Sequence, residues 1–136
     1  MRRLLVVSMM AWGGFGQTIQ VHGHRGARAM RPENTLPAFE YAIAQGVDAL
    51  ELDMAVTKDN VIVVSHDPVL EAPVCTGPRE KAVIRELTLA QVREWDCGGK
   101  QNPAFPKQQA VPGTKMPTSV LMMLGSAPAK AVMISF

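Results

Sequence analysis

The chain has 136 residues, 47% of them hydrophobic and 19% charged, which is enough for one modest domain with a core, or for a piece of one. A formal net charge of +2, few aromatics and no dense Lys/Arg block are poor grounds for a nucleic-acid or anionic-membrane partner. A small-molecule partner is expected instead.

The opening residues, "MRRLLVVSMMAWGGFGQ", join Arg2 and Arg3 to an apolar run from Leu4 to Met10, with Gly14 and Gly16 spaced like a signal-peptidase site. Residues 1–16 therefore read as a secretory signal, which places the protein outside the cytoplasm, secreted or periplasmic. The alternative is a first strand or helix of the domain. The run is too short to act as a stable membrane anchor.

Next, "TIQVHG" reads as a short strand ending at Gly23, and "PENTLPAFEYAIAQG" as a helix with readable ends. Asn34 is the expected N-cap, Pro37 falls in the first turn, and Gly46 suits the left-handed position after the last. Leu36, Phe39, Ala42 and Ile43 make its buried stripe. In "VDALELDMAV", Leu50, Leu52 and Met54 alternate with Glu51 and Asp53, and that period of two predicts a strand. A turn, "TKDN", leads to a further strand in "VIVVSHDP".

Strand, helix, strand in this order predicts an α/β fold with the first two strands parallel. The connection after Val56 is too short for a crossover and reads as a hairpin. With Asp59 and Asn60 at its centre, His66 falls opposite Asp53, and Glu51 lies two residues away on the same face; a slip of one residue would move it.

From Leu70 to Pro117 the pattern is less regular. "TLAQVREWD" reads as a helix capped by Thr88, with Leu89, Val92 and Trp95 on one side, and "GGKQNPAFPKQQAVPGTKMP" as a long surface loop. Cys75 and Cys97 either pair, as an oxidising compartment would allow, or remain thiols. With no CxxC and no Cys/His cluster, a structural zinc site is not expected.

Glu51 and Asp53 on one strand face admit two explanations. On a half-exposed antiparallel strand they are the solvent side. On a parallel barrel strand covered by helices they point into the barrel mouth, where two like charges need a cation between them, and hard oxygen ligands suit Ca²⁺ or Mg²⁺. His24 and His66 each follow a strand run, beside Arg25 and Asp67. Two histidines, an arginine and a carboxylate pair are what phosphodiester hydrolysis requires: a base, an acid, and positive charge on the phosphate.

In order and unbroken from His22 to Pro68, "HGHRGARAMRPENTLPAF", "ELDMAVTKDN" and "VIVVSHDP" resemble the glycerophosphodiester phosphodiesterases, with weaker similarity through "LTLAQVREWDCG" and "VPGTKMPT". The resemblance implies a TIM barrel related to the phosphatidylinositol-specific phospholipases C. It also implies hydrolysis of a small glycerophosphodiester to glycerol 3-phosphate and an alcohol, with a divalent metal, Ca or Mg, as cofactor. By position, His24 and His66 match the family's acid/base histidines, Arg25 its phosphate-binding arginine, and Glu51 and Asp53 two metal ligands. Glu33, in the PENT motif, is a further candidate for the metal or glycerol site. The other readings are a non-catalytic barrel remnant or pseudogene product, and a phospholipase-like enzyme of the same superfamily.

Three segments are expected: the signal at 1–16, the N-terminal portion of the phosphodiesterase domain at 17–118, and an atypical tail at 119–136. A barrel of this type has eight strands in roughly 250 residues, and material for about three is present. The family's third metal carboxylate, from an N-x-E-x-K strand, has no counterpart after Glu94. The tail "SVLMMLGSAPAKAVMISF" contains no acidic residue. Met122 and Met123 must be encoded ATGATG, and a neighbouring frame holds GATGAT, two aspartates, if the Leu121 codon ends in G. A frameshift near Thr118 is the reading this suggests, against a truncated or diverged variant with an apolar, membrane-seeking tail. The 136-residue chain alone is expected to be poorly stable and inactive.

Overall fold

A computed structural model describes residues 19–118 and the backbone of Val132–Ser135; the expected signal at 1–16 lies outside these residues. Strand β1 (His22–Gly23) leads through helix α1 (Leu36–Ala44) to strand β2 (Ala49–Val56), and β1 and β2 pair in parallel, His22 opposite Ala49 and Gly23 opposite Leu50. This is the expected βα unit. Helix α1 has Pro in its first turn and ends where Gly46 adopts φ 76°, a left-handed turn that glycine enters without a steric penalty. Phe39 and Ala42 pack on Leu50, Leu52 and Val64, so α1 covers one face of β2 and the carboxylates of β2 lie on the other.

The helix start differs from expectation. Thr35, not Asn34, is the N-cap residue; its hydroxyl bonds Pro32 O and makes no cap hydrogen bond, while Asn34 sits at φ 55° with its amide turned toward β2. The Asn34 side chain is taken by a tertiary partner and so is not available to the helix.

The hairpin also differs, by one residue. Strand β3 (Ile62–Val64) pairs antiparallel with β2, Met54 opposite Val64 and Val56 opposite Ile62. Asp53 O accepts from Ser65 N at 3.1 Å, so Ser65, not His66, lies opposite Asp53. The loop holds three residues, Lys58, Asp59 and Asn60. Asn60 is left-handed at φ 60°, and Thr57 closes the loop through its backbone N–H and its hydroxyl, both bonded to Val61. A three-residue loop with a left-handed last residue moves the pairing by one relative to a two-residue turn.

Beyond β3 lie a second hairpin, β4 (Val69–Glu71) with β5 (Lys81–Val83), a 3-10 turn (Ile84–Glu86) and the short helix α2 (Leu89–Val92), whose Thr88 and Gln91 form a capping box. Trp95, Val92, Ile84, Leu70 and the Cys75–Cys97 disulfide make a second core beside β3. The segment from Gly98 to Pro117 is tied down more than a surface loop would be: buried Gln108 donates to Arg28 O at 2.7 Å and Arg31 O at 3.3 Å. Strand β6 (Val132–Ser135), within the tail set apart by composition, pairs in parallel with β2, Glu51 opposite Met133 and Asp53 opposite Ser135.

Asp96 holds the Gly98–Gly113 segment through bonds accepted from Gly98 N at 2.9 Å and Gly113 N at 2.8 Å. Burial pushes its carboxyl up, but the N–H groups of Gly113, Gly98 and Gly99 and the Lys115 charge outweigh that and hold it below the usual aspartate value. A depressed carboxyl stabilises the fold above the unfolded-state pKa, and this stabilisation is lost as pH falls through the lower folded value. Asp96→Asn is therefore expected to lower the melting temperature at pH 7, by only a few degrees because solvent screens the partly exposed carboxylate, with the gap closing in strongly acidic buffer. Melting both proteins across pH checks this; a gap that does not change with pH would contradict it.

Candidate active site

The site forms where β1, β2 and β3 meet. The parallel register places His24 one step beyond the Gly23–Leu50 pair, level with Glu51, and His24 Nε2 lies 3.9 Å from Glu51 Oε2. Arg25 is left-handed at φ 51°, which turns its N–H onto Glu51 Oε2 at 2.7 Å. Gly26, at φ 80°, then brings its N–H to Glu51 O at 3.3 Å. The HRG tripeptide thus folds around the Glu51 end of β2.

The Arg25 side chain is only 12% exposed. Its Nη1 donates to Glu33 Oε1 at 2.7 Å, and its Nε lies 3.5 Å from Asp53 Oδ2. Arg28 approaches the other Glu33 oxygen at 3.5 Å and stacks on Phe105 at 4.7 Å. Glu51 and Asp53 are 15% and 11% exposed at their side chains, which excludes the solvent-side explanation of the alternation on β2. Glu33 and Asp53 lie against the Arg25 guanidinium, where opposite charge makes burying them tolerable, while Glu51 accepts from the Arg25 backbone N–H.

His66 follows β3 and its Nδ1 pairs with Asp67 Oδ1 at 2.8 Å. A carboxylate only accepts, so Nδ1 carries the hydrogen and Nε2 is left as the acceptor of the neutral ring. Both histidines are well exposed, at 61% for His24 and 44% for His66, as groups that meet a solute must be. A cleft beside His66 is lined by Glu33, Asn34, Ser65, His66, Pro73 and Met116. His22, which the sequence pattern leaves out of the site, is exposed and contacts Gln20.

All six candidates therefore collect at one edge: Arg25, Glu33, Glu51 and Asp53 in direct contact, His24 beside Glu51, and His66 on the cleft that Glu33 also lines. Sequence reasoning missed Asn34, whose amide donates to Asp53 Oδ2 at 3.0 Å, and Arg28. The PENT spelling marks Asn34 as a turn or cap residue, and nothing in the spelling separates that from a contact with a strand nineteen positions on.

Glu51 and Asp53 offer hard oxygens side by side on one strand face, a donor type that fits Ca²⁺ or Mg²⁺. Among the described residues no group of three His, Cys, Asp or Glu converges as a metal cage. β6, the parallel neighbour of β2, reads V-M-I-S and brings no acidic residue.

Parallel strands joined by a helix, with the candidate residues gathered at one edge of the sheet, are the arrangement of an α/β barrel, whose sites lie at the ends of its strands. The sequence profile of the glycerophosphoryl diester phosphodiesterase family matches residues 24–127, and the chain belongs to that family. It is 36% identical over 98 residues to a glycerophosphodiester phosphodiesterase of Bacillus subtilis, covering 70% of this chain and 32% of that protein. It is 50% identical over 89 residues to the human lysophospholipase D GDPD1, covering 58% and 28%. The crystal structure of the glycerophosphodiester phosphodiesterase from Agrobacterium tumefaciens superimposes with a TM-score of 0.71 at 26% identity, over 86% of this chain and 46% of that one. The chain thus spans about a third of such curated relatives and just under half of that barrel. The fold is an incomplete TIM barrel of this family.

Proposed function

We propose that the chain carries the histidine, arginine and two-carboxylate part of a metal-dependent glycerophosphodiester hydrolase, yielding glycerol 3-phosphate and an alcohol. The observation that carries this is the arrangement of His24, Arg25, Glu51 and Asp53 at one strand edge, with His66 on the adjoining cleft. His24 and His66 serve as the acid/base pair: one removes the proton from the attacking oxygen, the other returns a proton to the departing alcohol oxygen. Arg25, held by Glu33, brings positive charge to the phosphate rim; Glu33 acts through Arg25 and Arg28 and is not read as a metal ligand. Glu51 and Asp53 would hold the divalent cation, Ca²⁺ or Mg²⁺, which when bound draws charge from the phosphate oxygens.

The third carboxylate implied by the family pattern is absent from the 136 residues, so the isolated chain is expected to bind the cation weakly and to release little or no glycerol 3-phosphate from glycerophosphocholine. Calorimetric titration with calcium and magnesium tests the ligand assignment: the parent should bind one of them, and Glu51→Ala or Asp53→Ala should abolish it. Binding that survives both substitutions would overturn the assignment. A location outside the cytoplasm is supported by the leader-like residues 1–16 and by the Cys75–Cys97 bridge, a bond that persists in oxidising compartments. No helix among the described residues is long and apolar enough to cross a membrane.

A further inference from the structure

Asn34 is buried, 4% exposed, in the left-handed region at φ 55°. Its backbone N–H donates to Arg25 O at 3.0 Å, which fixes it to the HRG turn. Its side chain then meets Asp53 at two points. Nδ2 donates to Asp53 Oδ2 at 3.0 Å, and Oδ1 faces the Asp53 backbone N–H at 3.5 Å. The primary amide is the side-chain group that offers a donor and an acceptor in one plane, as this two-point contact needs. Asparagine also tolerates the left-handed backbone that aims the side chain away from α1 and toward β2. One residue thereby joins the Arg25 turn, the start of α1 and the carboxylate of β2.

We propose that Asn34 is a positioning residue that fixes the rotamer of the Asp53 carboxylate and leaves its remaining oxygen directed to the cation. The proposal rests on the reading of Glu51 and Asp53 as the cation's ligands. Outer partners that orient a ligating carboxylate change metal affinity by about 10- to 100-fold when removed. A turn residue chosen only for its backbone would have no such effect.

Asn34→Gly separates the two roles, because glycine keeps φ 55° without strain and removes only the amide. The 136-residue chain is titrated with calcium and with magnesium by calorimetry and melted in metal-free buffer. Expected is a loss of about tenfold or more in cation affinity with a shift of only a few degrees in the melting temperature. Unchanged affinity would overturn the proposal. A second measurement needs no metal: in the ¹⁵N spectrum of the metal-free chain, the Asn34 side-chain amide signal, assigned by its disappearance in Asn34→Gly, should move on Asp53→Asn. A signal that stays in place would overturn the contact itself. A parent chain that binds neither cation would overturn the ligand assignment, while the amide signal still decides whether Asn34 holds Asp53.

Discussion

Gly26→Ala is expected to cost about 2 to 5 kcal/mol. Gly26 holds φ 80°, where an L side chain is strained, and a Cβ there would sit 2.8 Å from Ala38 C, 2.9 Å from Ala38 Cβ and 3.0 Å from Phe39 N. Two of those atoms are backbone of α1, which cannot step aside without leaving β2. Gly46 gives the control: its φ is 76° with nothing within 4 Å of a Cβ, so Gly46→Ala should cost only the left-handed strain, about 1 kcal/mol. Denaturant melts of the two variants separate clash from strain. Equal losses would mean that α1 does not press on the HRG turn as closely as the structure has it.

The second large effect concerns catalysis. In a chimera whose barrel is completed by the C-terminal part of a related phosphodiesterase, His24→Ala and His66→Ala should each lower kcat/KM by about 100-fold or more, the usual contribution of a placed acid or base. That corresponds to about 3 kcal/mol of transition-state stabilisation. Neither side chain is packed into the core, so the melting temperature should hardly move. A loss of activity that tracked a loss of stability would mean that the histidines support the fold and take no part in proton transfer.

What could be read from the sequence follows from period and punctuation. The alternation in "ALELDMAV" survives in the structure because β2 does have one face on α1 and another at the site, and Gly46 stops α1 where a left-handed residue was needed. The strand could not say whether its carboxylate face was wet; that depended on β1 and β6 pairing beside it and on Arg25 closing over it. The hairpin register was lost to a single backbone angle at Asn60. Asn34 was misread because a cap and a tertiary clasp call for the same residue type. β4 and β5, three residues each, are too short to show a period, and Gln108 in a loop rich in Gly and Pro gives no local sign that it is buried against the 28–31 turn. β6 sits in a tail whose composition marked it as foreign to the domain, yet its backbone pairs with β2 over four residues.

The site follows the same division. Residue types and order were enough to gather His24, Arg25, Glu51, Asp53 and His66. The pairing of Glu33 with Arg25 and Arg28 has no signature in the residue order, because it is the fold of the HRG turn that brings the side chains of Arg25 and Glu33 within 2.7 Å. That pairing sets Glu33 against two arginines, and the proposed support of Arg25 is built on it.

The most direct measurement is metal-dependent release of glycerol 3-phosphate from glycerophosphocholine, assayed side by side for the purified 136-residue chain and for the completed-barrel chimera. The chimera should be active with calcium or magnesium, silent with a chelator, and lose its activity on His24→Ala, while the chain alone should release little or none. Robust release by the chain alone, or a chimera whose activity survives the loss of His24, would contradict the assignment of an incomplete catalytic edge to these residues.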